Sequence, residues 1–114
     1  MTVDAFTAND ADVASQVEPL EEIIDDLTGK IRDKHIARLR SGECSPELGV
    51  YLSDLLINFE RVSDHCSNAA VSVIQVFHSD MNSHDYLSEL KAERSPEFME
   101  RYAAYGRKYR LAAD

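Results

Sequence analysis

Residues 46–77 read PELGVYLSDLLINFERVSDHCSNAAVSVIQVF, and this stretch decides the fold. Leu48, Leu52, Leu55, Phe59, Val62, Cys66, Ala69, Val73 and Val76 recur at alternating spacings of four and three. That is the period of an amphipathic helix with a seam for coiled-coil-like packing. At about 1.5 Å per residue it predicts a helix from Pro46 to about Phe77, roughly 50 Å long, and only a bundle uses that length. With Leu55 set at zero and about 100° per residue, Leu56, Ala70 and Ile74 fall at about 60–100°, and Val71 and Ile57 at about 160–200°. The apolar arc is therefore wide enough for two packing partners. Asp54, Asn58, Arg61, His65, Asn68 and Ser72 share the remaining arc as its polar face.

Upstream, Ser45-Pro46-Glu47 is a helix start: a capping hydroxyl, a proline where no amide is needed, and an acid at the positive dipole end. Gly42 closes the segment before it. There Val13, Val17, Leu20, Ile24, Leu27 and Ile31, extended by His35 and Leu39, form a second stripe. Pro19 kinks it or makes the residues before it a separate turn, so the secure helix is placed at Glu18 to Ser41. Residues 1–12 are expected to be poorly ordered. Downstream, a polar run from His78 to His84 leads to a short helix over His84 to Leu90. A second Ser-Pro-Glu at 95–97 opens a longer helix from Pro96 to Leu111, with Phe98, Tyr102, Tyr105 and Tyr109 as a packing stripe. With no strand signal, Gly-rich phosphate loop or internal repeat, the class is all-α: one antiparallel helical bundle over residues 1–114.

Composition narrows the function. The 21 acidic residues against 12 basic ones leave a formal charge of -9, which repels nucleic acid and anionic membrane surfaces but tolerates cations. Hydrophobic residues at 44% and charged residues at 29% describe a chain that folds, and a membrane helix would need about 18 consecutive apolar residues, which are absent. MTVDAFTAND lacks the basic and apolar regions of a signal peptide. Cys44 and Cys66 have neither metal nor redox spacing. The expectation is a soluble protein of a reducing cytosol.

Two acidic pairs interrupt the pattern. Glu60 and Asp64 stand one turn apart at about 140° and 180°, on the apolar flank and off the polar arc. Glu21 and Asp25 repeat the spacing on the first long helix, with an offset copy at Glu22 and Asp26. Pairs on facing helices can pool oxygens around a cation, whereas the same spacing also suits an ordinary charged face. No ExxH occurs, so a carboxylate-bridged diiron enzyme is not indicated. His65 points about 100° away from Asp64 and is better placed to bond a neighbouring helix. His35 reads as a core histidine and Cys66 as a small apolar residue. No catalytic grouping of Ser, His and Asp is present.

NFERVSDHCSNAA, residues 58–70, resembles the signature of the PhoU family. Together with HIARLRSGECSPELGVYLSDLL before it and HDYLSELK and YRL after it, the chain from about Val17 to Leu111 looks like the PhoU-like tail of bacterial sodium/phosphate cotransporters. The resemblance implies two three-helix bundles, E/DxxxD motifs holding multinuclear metal clusters, and control of phosphate uptake without catalysis. Carried over, it makes Glu60 and Asp64 metal ligands, followed by Glu21 and Asp25. Glu22, Asp26, Asp54, Asn58, His65 and Asn68 are alternates or lie around them. The metal is a divalent or trivalent ion: iron, zinc or magnesium.

A whole PhoU domain is nearly twice as long, so the expected object is one bundle, completed as a homodimer. It would sit at the cytoplasmic face beside the membrane domain of a transporter in the same parent chain. The competing expectation is an interaction adaptor in which Glu60 and Asp64 pair with arginines such as Arg32, Arg38 or Arg40, without metal.

Overall fold

The computed structural model describes residues 1–77 and 95–112. Among the described residues five helices follow in order: α1 Thr2–Ala8, α2 Ala11–Ala14, α3 Val17–Ser41, α4 Pro46–Phe77 and α5 Pro96–Lys108. The all-α expectation holds, and α4 occupies the expected range. The short helix expected over His84 to Leu90 lies outside the described residues. The last helix ends at Lys108, three residues before the expected Leu111.

The α3–α4 hairpin is set by local chemistry. Gly42 takes φ 78°, and the amides of Gly42 and Glu43 return to the carbonyls of Leu39 and Arg38, closing α3 as a left-handed cap that a side chain disfavours. Ser45 Oγ accepts from the Leu48 amide at 3.3 Å and restarts the chain as α4. With only residues 42–45 between them, α3 and α4 run antiparallel. Thr28 meets Glu60, Glu18 meets Ser67, and His35 meets Gly49, a register in which one index rises as the other falls.

Pro19 does not kink α3. It sits in the first turn, where the backbone amide has no partner to lose, and it is fully buried. The residues before it form the separate turn α2, opened by Asp10, whose carboxylate accepts from the amides of Asp12 and Val13 at 3.0 and 3.1 Å. Residues 2–8, where little order was expected, are helical. Ala5 is completely buried there, against a cluster of Ala14, Val17, Ala70, Val73 and Ile74. An alanine inserted among small residues leaves no hydrophobic period, so the sequence gives no warning of it. α1 and α2 thus close one end of the hairpin against α4, while α5 lies along α3.

The buried side of α4 is not its Leu/Phe seam. Leu48, Leu55, Phe59, Val62 and Val76 are 53–67% exposed. The buried positions are Leu56, Ser63, Ser67, Ala70 and Ile74, about 90° round the helix, joined by Val71 and Val73. Small residues at 63, 67 and 70 let α3 and α1 approach closely, which the bulky seam would prevent.

Candidate functional site

Turning α4 onto its flank has two results on one face of the hairpin: it carries Glu60 toward α3, and it leaves the seam open.

Glu60 reaches α3 at Thr28 and Arg32. Thr28 Oγ1 lies 2.8 Å from Glu60 Oε1 and 2.9 Å from the Asp25 carbonyl, so its single proton serves one of two acceptors. Arg32 donates to the same carboxylate oxygen at 3.3 Å. The Thr28 hydrogen bond, with Arg32 adding to it, holds the Glu60 carboxyl below its ordinary value of 4.5 against the opposing effect of burial. Because Glu60 and Arg32 side chains remain 34% and 46% exposed, the ion pair itself contributes only about 0.2–1 kcal/mol. The buried threonine hydroxyl is the tighter constraint.

The other expected ligands are spread out. Asp64, at 180° on the wheel, is exposed although its place lies off the polar arc. Glu21 is buried on α3, whereas Asp25 is exposed; of the offset pair, Glu22 is half-buried and Asp26 accepts from the Tyr102 hydroxyl of α5. Asp54, Asn58, His65 and Asn68 all lie exposed on the polar arc, so His65 does not turn to a neighbouring helix. Among the described residues no three His, Cys, Asp or Glu side chains come together as a metal site. As arranged, the four carboxylates do not converge, and Glu60 is engaged by Thr28 and Arg32.

A further carboxylate contact was not foreseen from the sequence. Glu18, buried in the first turn of α3, accepts from the Ser67 hydroxyl of α4. Its only hint is the serine opposite, at a position the helical period marks as apolar.

The open seam borders a groove of about 660 Å³ between α3 and α4. Leu20, Ile24, Leu27 and Ile31 form one wall, Leu52, Leu55, Phe59 and Val62 the other, and Val3 of α1 closes an end. Among the described residues that line it, Glu21 is the only charged side chain, and it is buried. In a chain of charge -9, this trough is lined almost wholly by apolar side chains, several of them exposed.

Comparison with known proteins then bears on this geometry. The PhoU domain profile matches residues 1–73, spanning α1 to most of α4 and more than half of the chain. This chain belongs to the PhoU family. The match includes the first sixteen residues, which the resemblance drawn from sequence left out, and it stops short of residues 74–111, which that resemblance included. The chain is also similar to "Phosphate-specific transport system accessory protein PhoU homolog 1" of Thermotoga maritima, at 33% identity over 72 residues. Those residues are 63% of this chain and 31% of the relative, so the PhoU-family chain described here spans about a third of that protein's length where the two align. No solved structure matches it. Among the described residues, no helix is long and apolar enough to cross a membrane.

Proposed function

We propose that this PhoU-family chain is a non-catalytic regulatory module in the control of phosphate uptake, and that it works by docking through the α3–α4 groove. The carrying observation is the seam of Leu55, Phe59 and Val62, more than half exposed where it forms one wall of an apolar groove. Membership of the PhoU family and the phosphate-transport role in the Thermotoga relative's name support the choice of process. The target of the control is a sodium-dependent phosphate transporter at the cytoplasmic face, carried in the same parent chain.

The occupant of the groove is a second copy of this chain. Ridge and trough lie side by side on one face, so a two-fold axis seats each copy's Phe59 ridge in the other's trough, an isologous contact. Charge points the same way: two chains of -9 repel over most of their surface and meet best where that surface is uncharged. Light scattering over a dilution series tests this, with twice the chain mass expected. A monomer at every concentration defeats the copy as occupant, and phosphate uptake unchanged by deleting the module defeats the regulatory reading.

A metal-bound form competes with this reading at one residue. Glu60 would exchange the Thr28 hydroxyl and the Arg32 guanidinium for a cation shared with Asp64, Glu21 and Asp25. Elemental analysis of protein purified without chelator decides between the two.

A further inference from the structure

At the corner where α3 turns into α4, a cysteine faces a buried histidine. Cys44 Sγ lies 3.4 Å from His35 Nδ1, and Cys44 is half-buried. His35 is only 8% exposed, and its other ring nitrogen, Nε2, has no hydrogen-bond partner. An unpaired buried ring nitrogen costs about 1–3 kcal/mol, and a core histidine kept only for packing would be cheaper as an apolar residue.

The corner is also shaped around the ring. A Cβ placed on Gly49 of α4 would come 2.6 Å from His35 Nε2, so glycine is what lets the imidazole sit there. Cys44 directly precedes Ser45, the residue that caps α4, and the amide ends of a 32-residue helix favour negative charge beside them. The nearest acid in sequence, Glu43, is drawn off to the Ser41 hydroxyl at 2.8 Å. The thiol therefore has on one side an imidazole nitrogen, an acceptor in the Nε2–H tautomer, and on the other a positive helix end, the setting that activates cysteines.

We propose that Cys44 is a reversible modification site for low-molecular-weight disulfides, with His35 as its base. The thiol proton passes to His35 Nδ1, and the Cys44 sulfur attacks one sulfur of the small disulfide. A new S–S bond forms between Cys44 and the attacked sulfur, giving Cys44–S–S–R, as the S–S bond of the reagent breaks and its other half leaves as thiolate. The departing thiolate takes up the proton from His35, so Cys44 is oxidised while one half of the reagent is reduced to thiol. Excess thiol reverses the exchange. Cys66 offers an internal comparison, since it lies half-buried in the apolar groove against the core cluster. This inference is independent of the docking reading.

The test uses the full chain at pH 7. Iodoacetamide labelling is followed by mass spectrometry at Cys44 and Cys66, in native and in urea-unfolded protein. With His35 placed to take its proton, native Cys44 should react several-fold faster than the same residue in the unfolded chain. Cys66 should react more slowly native than unfolded. Glutathione disulfide should load Cys44 first, and dithiothreitol should remove the adduct. His35→Gln, checked for native helicity by circular dichroism, should bring Cys44 to the unfolded-chain rate or below. Native Cys44 reacting no faster than unfolded, or a folded His35→Gln protein that labels like the unaltered one, overturns the proposal. The first of these outcomes requires no variant to fold.

Discussion

Thr28 of α3 and Glu60 of α4 are joined across the hairpin by a 2.8 Å contact between hydroxyl and carboxylate, one side of it buried and the other half open to solvent. It fixes the register of the two long helices at the point where the polar Glu60 enters the small-residue face.

Replacing Thr28 by Val keeps the shape and removes the donor. Losing a hydrogen bond to a charged group should cost about 1.5–3 kcal/mol at most, less here because Glu60 retains water and Arg32. Urea denaturation should therefore show a loss of about 1 kcal/mol, and the Glu60 carboxyl, followed by NMR titration, should move back up toward 4.5.

Acid sensitivity follows from the same carboxylate. The folded-state value of Glu60 is lowered below 4.5, so its contribution is complete well above that pH and is lost as pH falls through 4.5 to the lowered value. In Glu60→Gln this part of the slope should vanish. A stability profile with equal slope in both proteins below pH 5 would remove the assignment.

Phe59 is 58% exposed in the single chain, so Phe59→Glu should leave thermal unfolding of the dilute protein within about 0.5 kcal/mol. Two extra charges brought to a shared apolar contact should instead convert the dimer to monomer in sedimentation velocity. A dimer that survives the change would place the contact elsewhere.

Ala5 is wholly buried against α4, and Ala5→Leu should strain that contact by about 1–3 kcal/mol. Limited proteolysis should then cut between α1 and α3 faster than in the unaltered chain. Equal cutting rates would show that α1 does not depend on this insertion.

Metal content is the sharpest check on Glu60. With its carboxylate held by Thr28 and Arg32, chelator-free protein should carry less than stoichiometric iron, zinc or magnesium, and Arg32→Ala should raise any affinity it has. One metal per chain in the unaltered protein, lost on Asp64→Asn, would reverse this order.

Much of the helical framework is legible in the sequence because its signals are local. Ser45 with Pro46 and Ser95 with Pro96 mark helix starts, Gly42 marks an end, and the unbroken period from Leu48 to Val76 gives α4 its length. The wheel also shows Glu60 away from the polar arc, and Arg32 stands among the arginines expected to reach it. Asp64 follows the same logic and escapes it: 40° further round the helix is enough to leave the contact.

By itself, then, the sequence determined an all-helical chain, the bounds of its long helices and a family signature around Glu60. Tertiary structure alone decided which of two apolar faces α4 buries, because a helical period states what a helix is able to hide and not which neighbour arrives. Ser63, Ser67 and Ala70 win that choice inside one chain by allowing close approach, as Ala5 does in α1. The leucine and phenylalanine seam, too bulky for that approach, is left facing outward. The meeting of Cys44 with His35 over Gly49 was decided in the same way, by a turn that brings residues nine and fourteen positions from the histidine back onto its ring.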